Sequence, residues 1–183
     1  MSTRVAAIAA AFLCLTFATT INASSAPPKT TGLTGALYQA GGGAGNFSTV
    51  RALNSMLGEA NVQAEMQHLQ DRYGDTSSFV QVFDFAMDDA WAKAGKSNVS
   101  VRTNAGLSGA QLANALIASG THGGVFSIRR MLSSLFPPQV AADVLLDVDV
   151  KYGSDTSTSF RRLADAFFTD TGQSLGVAAL SPH

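Results

Sequence analysis

Cysteine, charge and catalytic motifs are all scarce in this chain of 183 residues. It has a single cysteine, Cys14, and only 14% of its residues are charged, with 12 basic against 13 acidic side chains. Because the charges nearly balance and no basic block occurs, the composition argues against a protein that binds nucleic acid through charge. The sequence also lacks a His-Glu-x-x-His motif and a Gly-x-Ser-x-Gly nucleophile elbow. These absences leave no signature of a zinc protease or a serine hydrolase.

The start of the chain has the layout of a secretory signal peptide. Arg4 precedes an apolar run at 5–15, and a stretch of small and polar residues follows. The run is too short to span a bilayer, which argues against a membrane anchor. We therefore predict a signal peptide at 1–25, a linker at 26–31 and an exported protein, periplasmic or secreted, with no transmembrane segment after cleavage. Cleavage would remove Cys14, and with it any disulfide or cysteine metal site.

Two parts of the chain resemble each other at a constant spacing. Residues 41–74 align without a gap on 120–153, an offset of 79, and the identical pairs are Gly41/Gly120, Gly45/Gly124, Phe47/Phe126, Ser48/Ser127, Arg51/Arg130, Leu53/Leu132, Ser55/Ser134, Tyr73/Tyr152 and Gly74/Gly153. A two-residue gap then extends the alignment to the pairs Phe83/Phe160, Asp88/Asp165 and Trp91/Phe168. Self-similarity at a fixed spacing indicates an internal duplication. It divides the chain into a first repeat at 32–95, a linker at 96–105 and a second repeat with a C-terminal tail at 106–183.

Apolar residues recur at helical spacing in both copies. One predicted helix face in the first copy has apolar residues four, three and four positions apart, namely Val62, Met66, Leu69 and Tyr73. Gly74 and Gly153 are expected to end their helices in a left-handed cap. Gly95 and Gly172 are expected to close the last helix of each copy. The pattern predicts an all-α fold of two related four-helix units, packed as a pseudo-twofold helical bundle.

Two groups of residues are candidates for ligand binding. The first group is aromatic, lies on the last predicted helix of each copy and could line an apolar pocket: Phe83, Trp91, Phe160 and Phe168. The second group consists of Arg51 and Arg130, each about one turn inside a helix that follows a glycine-rich loop. Backbone N–H groups at such a helix start can hold an anion. The plainer interpretation is that the aromatic residues form core and that the loops are simple turns beside surface arginines.

Histidine and aspartate are the candidates for chemistry. His122 lies in the second glycine loop and is the candidate general base or ligand, because imidazole titrates near physiological pH. His68 lies on a predicted helix and is a second candidate ligand for haem or a metal ion. The repeat partners Asp88 and Asp165 could face each other across the pseudo-twofold axis, where paired carboxylates share a proton or hold a cation. The sequence contains no metal-ligand motif and identifies no cofactor.

Three hypotheses of function follow from these features. The first is an exported, non-catalytic helical protein that binds a protein partner or an apolar small molecule at the interface of its two repeats. The second is a hydrolase-type enzyme that uses His122 with a nearby acidic residue. The third is a haem-binding or metal-binding protein that uses His68 or His122. Neither the identity of a ligand nor the oligomeric state follows from the sequence.

Overall fold

Helices form 81% of the residues that the computed structural model describes, which are 32–43, 46–96 and 106–177. Within these ranges, four helices precede the 97–105 segment and four follow it. The prediction of an all-α fold is therefore confirmed. No helix in the described ranges combines the length and apolarity needed to cross a membrane. The predicted signal peptide at 1–25, the linker at 26–31 and most of the linker at 96–105 lie outside the described residues.

The elements follow one another in the same order before and after residue 100. The first half contains α1 (Leu33–Gly41), β1 (Gly42–Gly43), β2 (Asn46–Phe47), α2 (Thr49–Leu57), α3 (Glu59–Tyr73) and α4 (Ser77–Lys96). The second half contains α5 (Gly109–Gly120), β3 (Thr121–His122), β4 (Val125–Phe126), α6 (Ile128–Leu135), α7 (Pro138–Tyr152) and α8 (Ser154–Ser174). The glycine loops, expected as simple turns, each form a short antiparallel hairpin between two helices.

Two glycines end their helices as predicted, whereas the glycine in α8 lies inside the helix and allows close packing. Gly74 and Gly153 follow α3 and α7 with φ values of 84° and 82°, in the left-handed region that glycine adopts without strain. Helix α4 ends one residue after Gly95, close to the predicted position. Helix α8, in contrast, continues past Gly172, where a Cβ atom would lie 2.8 Å from Cγ2 of Ile117. Gly172 therefore permits the close approach of α8 to α5, and the prediction that it ends the helix is wrong.

The two long helices α4 and α8 meet in the core. Phe79 of α4 lies against Phe167 of α8 with ring centroids 5.5 Å apart, and the rings of Phe83 and Phe160 are 6.3 Å apart. Helix α4 also packs against α7, α2 packs against α5, and α3 packs against α8. Because these contacts join elements from both halves, the described residues share one apolar core.

Each hairpin folds back onto the end of the helix before it, at a glycine. A Cβ atom at Gly120 would lie 2.3 Å from the ring of Phe126, and a Cβ atom at Gly41 would lie 2.2 Å from the ring of Phe47. Both rings are almost fully buried and cannot move aside without disturbing the core. The glycine is therefore required by the packing of the ring, and this holds in both halves.

We expect Gly120→Ala to lower the free energy of unfolding by about 1–3 kcal/mol, because the added methyl group displaces the buried Phe126 ring. Urea unfolding followed by circular dichroism measures the change. In the double variant Gly120→Ala/Phe126→Leu the smaller side chain relieves the conflict, so its loss should be less than the sum of the two single losses. An unchanged unfolding midpoint for Gly120→Ala would contradict this packing.

Candidate functional site

Arg51 and Arg130 bind the backbone of the two hairpins. Nε of Arg51 donates to the Gly41 carbonyl at 3.0 Å, and its Nη2 reaches a carbonyl of β2 at 3.4 Å. Nη1 of Arg130 donates to the Gly120 carbonyl at 2.6 Å and to a carbonyl of β4 at 3.1 Å. Each guanidinium group thus meets the last carbonyl of the preceding helix, where positive charge is favourable.

The first backbone N–H group of α2 and that of α6 also have partners within the protein. Asp84 of α4 accepts a hydrogen bond from the Thr49 N–H at 2.6 Å. Asp165 of α8 accepts one from the Ile128 N–H, also at 2.6 Å. A carboxylate at this position complements the positive end of the helix dipole. In both halves the protein itself therefore engages the arginine and the first N–H group of the helix, two of the groups considered for anion binding.

These contacts make Asp84, and not Asp88, the counterpart of Asp165. Asp88 accepts from the Phe47 N–H at 2.8 Å, and the group at the same place in the second half is Thr169, whose Oγ1 accepts from the N–H of β4 at 3.2 Å. Relative to the constant spacing of the rest of the alignment, the matching residues of α8 therefore lie two positions later in the chain. The gap in the sequence alignment had placed them two positions earlier. Asp88 binds the first hairpin and Asp165 binds the start of α6, and no interaction joins the two aspartates within the described ranges.

Burial raises the pKa of both Asp88 and Asp165. For Asp88 the hydrogen bond from β2 opposes this effect, and the negative charge of Asp84 adds to it. For Asp165 the hydrogen bond from α6 and the positive charges of Arg130 and Arg161 oppose it. In both cases the loss of water around the carboxylate outweighs the stabilising partners.

The four aromatic candidates lie in the packed interior. Phe83, Trp91, Phe160 and Phe168 are each at most 3% exposed. The ring of Phe83 lies 6.3 Å from that of Phe160 and 6.1 Å from that of Phe168, whereas Trp91 packs 5.0 Å from Phe47. Phe168 also lines a small cavity of about 140 Å³. The structure thus brings three of the four together in contacts of ring against ring.

His122 lies exposed in β3, the first strand of the second hairpin. Its backbone pairs with Val125 across the hairpin. Across the described part of the chain, no acidic side chain forms a hydrogen bond or an ion pair with the imidazole. The hydrolase hypothesis therefore stays a prediction, without an identified residue to orient this histidine.

A cavity of about 330 Å³ lies between elements of the two halves. Its lining comes from α2, α3 and the end of α8, namely Leu57, Asn61, Ala64, Glu65, Thr171, Ser174 and Leu175. The sequence contains no signal for this cavity, because each lining residue is ordinary for a helix and the two sides are far apart in the chain. Only the packing of α3 against α8 creates it.

Glu65, His68 and Asp170 come together beside this cavity. Nδ1 of His68 lies 3.7 Å from Oε1 of Glu65 and 3.8 Å from Oδ2 of Asp170. Nη1 of Arg72 lies 3.5 Å from the same Asp170 oxygen. Burial raises the pKa of Glu65, the negative charge of Asp170 raises it further, and His68 lowers it. The spacing of Glu65 and His68, one turn apart on a helix, is a signal that sequence reasoning missed, whereas nothing in the sequence places Asp170 beside them.

No protein family, curated protein or solved structure matches this chain. The cavity and the side-chain cluster next to it combine space with titratable groups, and they share the residue Glu65.

We expect Asp165→Ala to lower the free energy of unfolding by about 0.5–2 kcal/mol, because it leaves the first N–H of α6 without an acceptor. Asp165→Asn keeps an acceptor oxygen and should lose much less. The difference in stability between the wild type and Asp165→Asn should also depend on pH. Since the pKa of Asp165 is raised above 3.8 in the folded state, its ionised form is penalised on folding.

The stability of the wild type relative to Asp165→Asn should therefore increase as the pH falls from 7 towards 4, where the aspartate becomes protonated. Urea midpoints of the two proteins at a series of pH values measure this difference. A stability difference that stays constant over this range, or that changes in the opposite direction, would show that burial does not dominate the pKa of the Asp165 carboxyl group.

Proposed function

We propose that this protein is an exported, non-catalytic helical protein that binds a small, partly apolar molecule in the 330 Å³ cavity between its two halves. The cavity is the observation that carries the proposal. Its volume is at the lower end of the range of small-molecule sites, and its lining combines apolar residues, Leu57, Ala64 and Leu175, with a similar share of polar ones. Of the two kinds of partner that the sequence suggested, a small molecule fits a concavity of this size, whereas a protein partner needs a broader surface.

The difference between α3 and α7 supports the location of this site. The two helices hold the same place in the order of elements, but α7 buries five residues and α3 buries only two, Val62 and Leu69. Helix α3 instead presents Asn61, Ala64 and Glu65 to the cavity. A helix with few apolar residues leaves space where it meets the core, and polar side chains around that space provide hydrogen bonds to a ligand.

We also propose that the two halves arose by duplication and pack as a pseudo-twofold pair. Three kinds of contact recur in both halves and support this proposal. A glycine packs under a phenylalanine ring, an arginine binds the last carbonyl of a helix, and an aspartate caps the following helix. In the first half the residues are Gly41, Phe47, Arg51 and Asp84, and in the second half they are Gly120, Phe126, Arg130 and Asp165.

The export proposal depends on the predicted signal peptide at 1–25. Native mass spectrometry of protein purified from its own compartment reports the mature N-terminus and any retained small molecule together. An N-terminus near residue 26 and an extra mass in the folded protein are the expected results. An unprocessed N-terminus would contradict export without affecting the cavity.

We expect Ala64→Trp to weaken binding of the fluorescent apolar probe N-phenyl-1-naphthylamine at least tenfold, because the indole ring fills the cavity. Titration of the probe, followed by its fluorescence, measures the dissociation constant. Ala60→Trp is the matched control, since Ala60 is exposed on the same helix, one turn earlier, and does not line the cavity. Equal binding by the wild type and both variants would contradict the proposed site, and so would equal weakening in both variants.

A further inference from the structure

The side chains of Glu65, His68 and Asp170 have the composition and the spacing of a metal site. We propose that these three residues bind a divalent transition-metal ion, for which Zn²⁺ is the probe. Glu65 and His68 are one turn apart on α3, and Asp170 reaches them from α8. The proposal does not depend on a ligand in the neighbouring cavity, because the three side chains supply the metal ligands themselves.

The distances are close to those that a metal ion requires. Zinc binds nitrogen and carboxylate oxygen at about 2.0–2.2 Å, so neighbouring ligand atoms of a tetrahedral site are about 3.3–3.6 Å apart. The imidazole nitrogen of His68 is 3.7 Å from Glu65 Oε1 and 3.8 Å from Asp170 Oδ2. All three ligand atoms lie within 4.8 Å of one another. Small side-chain rotations would therefore close the site without movement of the helices.

The polar atoms at this place lack hydrogen-bond partners among the described residues. Oε1 of Glu65 and Oδ2 of Asp170 are both buried and accept no hydrogen bond. Thr171, which lines the adjoining cavity with Glu65, is 7% exposed, and its Oγ1 also has no partner. Buried carboxylate oxygens without a hydrogen bond are costly, and two carboxylates close together repel each other; within the described part of the chain only the half-exposed His68 and Arg72 side chains offset these costs, from 3.5–3.8 Å. A bound cation removes both penalties.

The mixture of ligand types selects the class of metal. Imidazole together with carboxylate suits zinc and its first-row neighbours, whereas magnesium and calcium prefer oxygen ligands alone. Three protein ligands leave a position for water, which the cavity beside Glu65 and Thr171 can supply. Arg72 competes with the metal, because its guanidinium group lies 3.5 Å from the Asp170 oxygen that would bind the ion.

The test is zinc binding by the full chain, without an affinity tag and after treatment with a chelator. Isothermal titration calorimetry should give one Zn²⁺ per chain, and a saturating concentration of zinc should raise the melting temperature. Glu65→Gln, His68→Ala and Asp170→Asn should each weaken binding at least tenfold. The spectrum of the Co²⁺ form should show the visible bands of tetrahedral coordination and lose them in His68→Ala.

Three matched controls remove similar groups elsewhere, namely Glu59→Gln on α3, Asp155→Asn on α8 and His122→Ala on the second hairpin. They should bind zinc as the wild type does. Arg72→Gln separates a metal site from a simple network of ion pairs: it removes the competing cation, so it should strengthen zinc binding, whereas in an ion-pair network it would only destabilise the fold. Absence of stoichiometric zinc binding by the wild type would overturn the proposal, as would undiminished binding by His68→Ala, and neither result would bear on probe binding in the cavity.

Discussion

At each hairpin, hydrogen bonds from an arginine of the following helix and to an aspartate of a long helix hold the ends of four helices in place. At the first hairpin α1 ends and α2 begins, and at the second α5 ends and α6 begins. Helix ends leave backbone groups without partners, and an unpaired buried group costs about 1–3 kcal/mol. Arg51 and Arg130 supply donors to the carbonyls, while Asp84 and Asp165 supply acceptors to the N–H groups. Since the aspartates belong to α4 and α8, these bonds also position the two helices on which the core is built.

The core and the candidate site differ because α3 and α7 differ. Helix α7 packs closely against α4 through its apolar face, and the rings of α4 and α8 contact one another directly. Helix α3 buries little and meets α8 with polar side chains. The space left there becomes the cavity, and the carboxylates of Glu65 and Asp170 beside it lie largely out of water. The features that could carry function thus lie where α3, which buries two residues, takes the place that the more buried α7 holds in the second half.

The cavity and the proposed metal site are physically linked through Glu65. Its carboxyl group lines the cavity, and its pKa is raised by burial and by Asp170. A carboxylate in this condition is stabilised by a positive charge, whether it comes from His68 or from a metal ion. A small molecule in the cavity would therefore contact a residue whose charge depends on what occupies the cluster.

Local chemistry in the sequence determined the all-α fold class and the ends of α3 and α7, because helical periodicity and glycine caps depend on neighbouring residues. The constant offset of 79 between Arg51 and Arg130 was also visible, although what the two arginines bind was not. Tertiary structure alone decided that Asp84 rather than Asp88 corresponds to Asp165 and that the aromatic candidates are core. It also brought Asp170 to His68 and opened the cavity between α3 and α8. The physical reason is that such contacts join residues far apart in the chain, so they depend on how the helices pack, which no local pattern encodes.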